Sequence, residues 1–177
     1  MSSSNLADTH EDIPPRPSAD RDPDTSPGAL QAQGPTGEPG WVAAAGPFLG
    51  VWTLVADQSH NEDGNPLASA TQRIEIVGGR VMFRVEAVLA DGWDVSYVLS
   101  RIPDGIERPH PDPDVADIVS ARIIGRTFET VSRRGGRVIR RTVRTASPDG
   151  ERLTVDQTGF SQFGEPYRNR SVYQRSR

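Results

Sequence analysis

From Gly50 onward, apolar and polar residues alternate in short runs broken by turn residues. A period of two marks strands, because successive side chains point to opposite faces of a sheet. Gly50 to Ala56 opens the series, with Trp52, Leu54 and Ala56 on one face and Val51, Thr53 and Val55 on the other. Thr71 to Val77 and Arg80 to Leu89 flank Gly78-Gly79, a pair that supplies the positive φ of a tight hairpin. Val81, Phe83, Val85 and Ala87 share one face of the second run. After Asp91-Gly92, the run from Trp93 to Ser100 places Trp93, Val95 and Tyr97 together. Residues 101–116 are irregular, with four prolines set among acidic groups. The alternation resumes at Asp117–Ile124 and Arg126–Arg133, and crosses a second hairpin signal at Gly135-Gly136. It continues through Arg137–Thr145, Glu151–Thr158 and Tyr167–Arg175. No part of this span has the 3.6-residue period of a helix.

The spacing predicts eight to ten strands joined mainly by tight turns. Greek-key sandwiches need longer crossovers than these loops provide. An up-and-down antiparallel barrel needs only hairpins, and closing it removes exposed edges. The fold class expected is therefore all-β, an up-and-down barrel wide enough for side chains or one small ligand. Residues 41–49 are apolar and broken by Gly46-Pro47, which suits a short helical turn or plug at one end.

Composition changes the picture only at the start of the chain. Residues 1–40 hold seven prolines, seven acidic groups and two arginines, with few large apolar side chains. Such a segment cannot bury enough surface to offset its conformational entropy, and a disordered acidic tail is expected there. Residues 41–177 carry 18 arginines against 17 acids and are close to neutral. The chain has no cysteine, which excludes disulfides and thiolate metal sites. It has no lysine either, consistent with GC-rich coding. No signal-peptide pattern opens it and no apolar run is long enough to cross a bilayer, so a cytoplasmic location is the default.

Gly50-Val51-Trp52 near the start and Arg170-Ser171-Val172-Tyr173-Gln174-Arg175 at the end resemble the signatures of the calycins, the lipocalin and fatty-acid-binding superfamily. The span from Phe48 to Arg175 also resembles small bacterial lipocalin-like proteins of unknown function. The resemblance implies that Trp52 packs across the closed end of the barrel, beneath an arginine of the last strand. By position that arginine is Arg170 or Arg175, and Gly50, Trp52 and the arginine form a structural group. Fatty-acid-binding proteins hold a carboxylate with an Arg-x-Tyr pair. Here Ser171 stands two before Tyr173, so that site does not carry over.

Candidate chemistry is sparse. His110-Pro111-Asp112-Pro113-Asp114 has oxygen-rich metal-site character, but there is no second histidine nearby, and no metal or cofactor is expected. Arg133, Arg134, Arg137, Arg140, Arg141 and Arg144 surround one hairpin. No aromatics interleave with them for base stacking, so cross-strand ion pairing on a solvated face is expected rather than nucleic-acid binding. Phe83, Val85, Trp93, Tyr97 and Tyr173 are the expected ligand-lining residues. Arg84 and Gln157 also lie within strands that could turn them inward. Glu86, Asp156 and Tyr97 are the candidates for acid or base chemistry if they face inward.

The function expected is binding of a small hydrophobic molecule inside the barrel, without nucleic-acid or membrane partners. The alternative is a small barrel cyclase or isomerase that encloses its substrate and uses one acid or base. A filled barrel acting through its surface is a third possibility. Interior space and inward titratable groups decide among the three.

Overall fold

The computed structural model describes residues 39–176, so the tail expected at residues 1–40 lies almost wholly outside the described residues. The apolar segment before the first strand folds as α1, Gly40–Ala44, followed by a 3-10 turn over Gly46–Phe48. Pro47 suits the first turn, where a backbone N–H has no helical partner to lose.

Ten strands follow. They are β1 (Gly50–Leu54), β2 (Leu67–Val77), β3 (Arg80–Leu89), β4 (Asp94–Arg101) and β5 (Arg108–Pro109), then β6 (Ile118–Ile124), β7 (Thr127–Arg134), β8 (Arg137–Ala146), β9 (Arg152–Phe160) and β10 (Pro166–Arg175). All pairings are antiparallel, in the order β4-β3-β2-β1-β10-β9-β8-β7-β6-β5. Each strand therefore neighbours its sequence neighbours, as in an up-and-down meander, and β1 pairs with β10. The Gly-Gly pairs make the β2–β3 and β7–β8 turns with positive φ at all four positions.

The sheet curls onto itself. Phe83 of β3 meets Phe128 of β7 edge to face, with ring centroids 5.2 Å apart, although five strands separate their own in the sheet order. Arg144 of β8 lies over the same Phe83 ring, 4.3 Å from its centroid. A flat sheet could not bring these side chains together, so the fold is the all-β antiparallel barrel expected from the alternation. The β4 and β5 strands flank the seam.

One end is closed by an apolar layer. Phe48, Trp52, Ile74, Val81, Phe83, Phe128 and Leu153 are all fully buried there. Trp52 donates its indole N–H to the Phe48 carbonyl at 2.8 Å. Arg175 stacks over the Trp52 ring at 4.1 Å and donates to the carbonyls of Gly150, Leu49 and Pro47 at 2.6, 2.6 and 3.1 Å. Gly50 has φ +126°, and a Cβ there would stand 2.6 Å from Arg175 Nη1. The G-x-W pattern is thus a packing rule: the glycine leaves room for the guanidinium that covers the tryptophan.

Candidate functional site

Direct cross-strand partners share a face, so the register assigns every inward side chain. On β2 and β3, Gln72 and Ile74 pair with Val85 and Phe83. On β4, Tyr97, Leu99 and Arg101 pair with Val85, Phe83 and Val81. On β10, Tyr173 and Ser171 pair with Leu153 and Val155 of β9. On β8, Arg144, Thr142 and Arg140 pair with Val155, Gln157 and Gly159. Across β7 the same three residues pair with Phe128, Thr130 and Ser132. The interior thus carries a layer of polar side chains above the aromatic floor.

That layer is not packed solid. Tyr97 faces inward yet keeps 39% of its surface accessible, while burial pushes its phenol pKa up, opposed by Arg144 and Arg140. Accessibility and desolvation disagree for a side chain on an outer surface. They agree for one in an internal space walled by protein and wide enough for water. Val95, Leu99, Thr142, Val155 and Gln157, all inward by register, are likewise only half-buried. Water reaches the side chains at these inward positions.

Among the described residues, the buried charged side chains turned into this space by the strands are cationic. Arg144 is buried at 7% exposure, and burial lowers its pKa. Arg101 is pushed down to about 10, first by burial and then by repulsion from Arg144 and Arg140. Burial also holds the Tyr173 phenol up at about 12. His110, in the loop after β5, is lowered by burial and by Arg101 and Arg140. Its Nδ1 is engaged by the backbone of Asp112, so this imidazole is a loop brace. Among the described residues no group of three or more His, Asp or Glu side chains could hold a metal ion.

Three fully buried N–H groups on inward-facing residues lack an acceptor among the described residues: Gln72 Nε2, Arg101 Nε and Arg144 Nε. Arg101 uses Nη1 on the Ser100 carbonyl at 2.7 Å. Arg144 has no salt-bridge partner among the described residues; its stabilising contact is the Phe83 ring. Buried polar groups are almost always paired, and an unpaired buried cation is costly. The orphans come from β2, β4 and β8, and all three are N–H groups. They leave the inward side of these strands rich in donors and poor in acceptors.

Other expected residues fall elsewhere. Glu86 pairs with Thr71 and Ser96 on the outer face and is exposed. Asp156 is also outward, bound by Arg170 at 2.7 Å. Neither carboxylate reaches the interior, because each alternates with an inward residue: Glu86 with Val85 and Ala87, Asp156 with Val155 and Gln157. Arg170 is outward on β10 in that ion pair, and among the described residues Arg175 is the arginine that covers Trp52. Arg84 is outward and paired with Glu75 at 3.1 Å. Gln157 is inward and donates to the Tyr167 hydroxyl at 2.8 Å. Phe83, Val85, Tyr97 and Tyr173 all face the interior. Trp93 stands before β4, 57% exposed, in the turn at the wide end.

The arginine-rich hairpin divides between two environments. Arg141 and Arg122 both bind the buried carboxylate of Glu129, and Arg133 binds Glu107 at 3.0 Å. This is the ion-paired outer face expected from sequence. Arg140 and Arg144 point the other way. An outer groove of about 360 Å³ lies over this face, lined by Arg122, Glu129, Val131, Arg133 and Arg141. Glu129 already neutralises its arginines, so the groove is less suited to an anion than the interior.

No protein-family model matches the chain, and no curated protein matches it. Among solved structures, the chain is similar to zebrafish ileal bile acid-binding protein complexed with cholic acid. The two share 10% identity with a TM-score of 0.42, over 73% of this chain and 99% of that one. This is a likeness of strand arrangement at low similarity, and the site above stands without it.

Proposed function

We propose that the barrel binds a small amphipathic anion in its interior. The observation that carries this reading is the pair of inward guanidiniums, Arg101 and Arg144, which have no salt-bridge partner among the described residues and whose strands turn no carboxylate inward. A buried guanidinium without a counter-charge costs several kcal/mol, and a bound anion relieves that cost. The apolar part of the ligand would lie against Phe83, Val85 and Leu99. Tyr97 and Tyr173 would add hydroxyl contacts to the acidic group, since both stay protonated at neutral pH. The ligand is hydrophobic only in part.

The enclosed-substrate enzyme draws less support. Its two carboxylate candidates lie outside the barrel, and a phenol held protonated by burial is a poor general base at neutral pH.

The test uses 1-anilinonaphthalene-8-sulfonate, an apolar anion, titrated fluorimetrically into the full chain. Saturable binding is expected, weakened at least about tenfold by Arg144→Met or Arg101→Met, as for loss of a charged hydrogen bond. Unchanged affinity in both variants would overturn the reading.

A further inference from the structure

Resting on that interior anion site, the charge count says more about the ligand. Arg101 and Arg144 face the same space, and Arg140 joins them toward the wide end. The three guanidiniums act on common neighbours: Arg144 and Arg140 both depress Arg101 and both pull on Tyr97. No Asp or Glu contributes to either group. Arg140 is exposed and keeps water, whereas Arg144 is buried and Arg101 half-buried. A monocarboxylate has two oxygens and one charge. It would leave one guanidinium uncompensated.

We infer that the preferred ligand carries a dianionic head group, of the phosphate monoester type, on an apolar body. Such a group has two charges at neutral pH and three terminal acceptor oxygens. Those oxygens can accept from more than one guanidinium at once. The two charges match the two more enclosed guanidiniums. Planar, multidentate arginine donors suit a phosphate in a way that a lone ammonium would not.

The groups facing this site are Arg101 and Tyr97 from β4, Arg140 and Arg144 from β8, Tyr173 from β10, Gln72 from β2 and His110 from the loop after β5, with Asp112 acting on His110. Only His110 ordinarily titrates between pH 5.5 and 8. The experiment compares decyl phosphate, decanoate and decanol on the full-length protein by calorimetry, below their aggregation concentrations, at pH 8 and pH 5.5. Decyl phosphate is expected to bind at least about tenfold tighter than decanoate at pH 8, where it is a dianion. At pH 5.5, where both ligands are mainly monoanions, the ratio should fall toward one. His110→Gln should leave that pH dependence in place. Arg101→Met should reduce the phosphate preference at pH 8.

Equal affinities for the two acids at pH 8, both above decanol, would overturn the dianion inference and leave the anion site intact. A ratio unchanged by pH, or a pH dependence lost in His110→Gln, would overturn it as well. If all three ligands bound alike, the anion site itself would fall. The wild-type comparison decides the matter even if a variant does not fold.

Discussion

Two arginines of this barrel lie over aromatic rings, and their surroundings differ in one respect. Arg175 covers Trp52 at 4.1 Å and Arg144 covers Phe83 at 4.3 Å. Arg175 also donates to three backbone carbonyls at the closed end. Arg144 is more deeply buried and leaves Nε without an acceptor. The first has the marks of a structural residue, with its charge solvated by carbonyl dipoles. The second is maintained at a cost to stability, which is where function is expected to intrude on packing. The same fold contains both because the closed end carries the loops and plug that bring carbonyls inward, whereas the middle of the barrel has only strands. There every backbone carbonyl is directed along the sheet.

The closed end should give the largest stability losses. Trp52→Ala removes the largest buried side chain and the surface on which Arg175 rests, and about 3–5 kcal/mol of destabilisation is expected in urea unfolding. Gly50→Ala should cost about 1–3 kcal/mol, because φ +126° is strained for alanine and the new Cβ meets Arg175 Nη1 at 2.6 Å. Combining Gly50→Ala with Arg175→Ala should cost less than the sum of the two, since the second change removes the clash. An additive double variant would separate Gly50 from Arg175 and weaken the comparison.

The interior cluster should show itself through pH. Burial and like charges lower Arg101 to about 10, below its unfolded value near 12.5. The folded state then holds fewer protons than the unfolded state between those values. Taken alone, Arg101 therefore opposes folding below about pH 10, and that penalty is relieved as pH rises from about 10 toward 12.5. An anion favours the charged form, so binding should draw Arg101's pKa back up. Affinity should be steady from pH 7 to about 9 and decline above about pH 10, with proton uptake on binding in that range. Calorimetry in buffers of different ionisation enthalpy measures the uptake. Proton release, or affinity that rises above pH 10, would contradict the assignment.

How much of this was legible in the sequence depends on what set each feature. The hairpins were legible because Gly78-Gly79 and Gly135-Gly136 encode turn geometry locally. The apolar side of β3, Val81, Phe83, Val85 and Ala87, suggested Phe83 and Val85 as lining residues, but whether Phe83 or Arg84 turns inward depends on the register to β2 and β4. The anion site was not legible. Arg140, Arg141 and Arg144 look alike in sequence, and a shift of one residue reverses them. Their division is set by pairing to β7, where Phe128 directs Arg144 inward and Glu129 holds Arg141 outside. The register also shifts between Ser132 and Arg133, which a count along the hairpin misses. One signal was available: Arg140, Thr142, Arg144 and Ala146 share a face, and its far end is apolar. Asp156 failed as a candidate for the same reason. Its partner, Arg170, becomes its cross-strand neighbour only once the register of the β9–β10 hairpin is set.

The most direct measurement sets Arg144→Met beside Arg175→Met, each followed by urea unfolding and by titration with an apolar anion. Methionine keeps much of the apolar stem and removes the charge. Arg175→Met should lose about 2–3 kcal/mol, because carbonyls are left without donors, and should retain binding. Arg144→Met should be as stable as the parent or up to about 2 kcal/mol more stable, because an unpaired buried charge is gone, and should lose anion binding. If Arg144→Met were destabilised as much as Arg175→Met and still bound the anion normally, Arg144 would be a structural residue and the interior would not be an anion site.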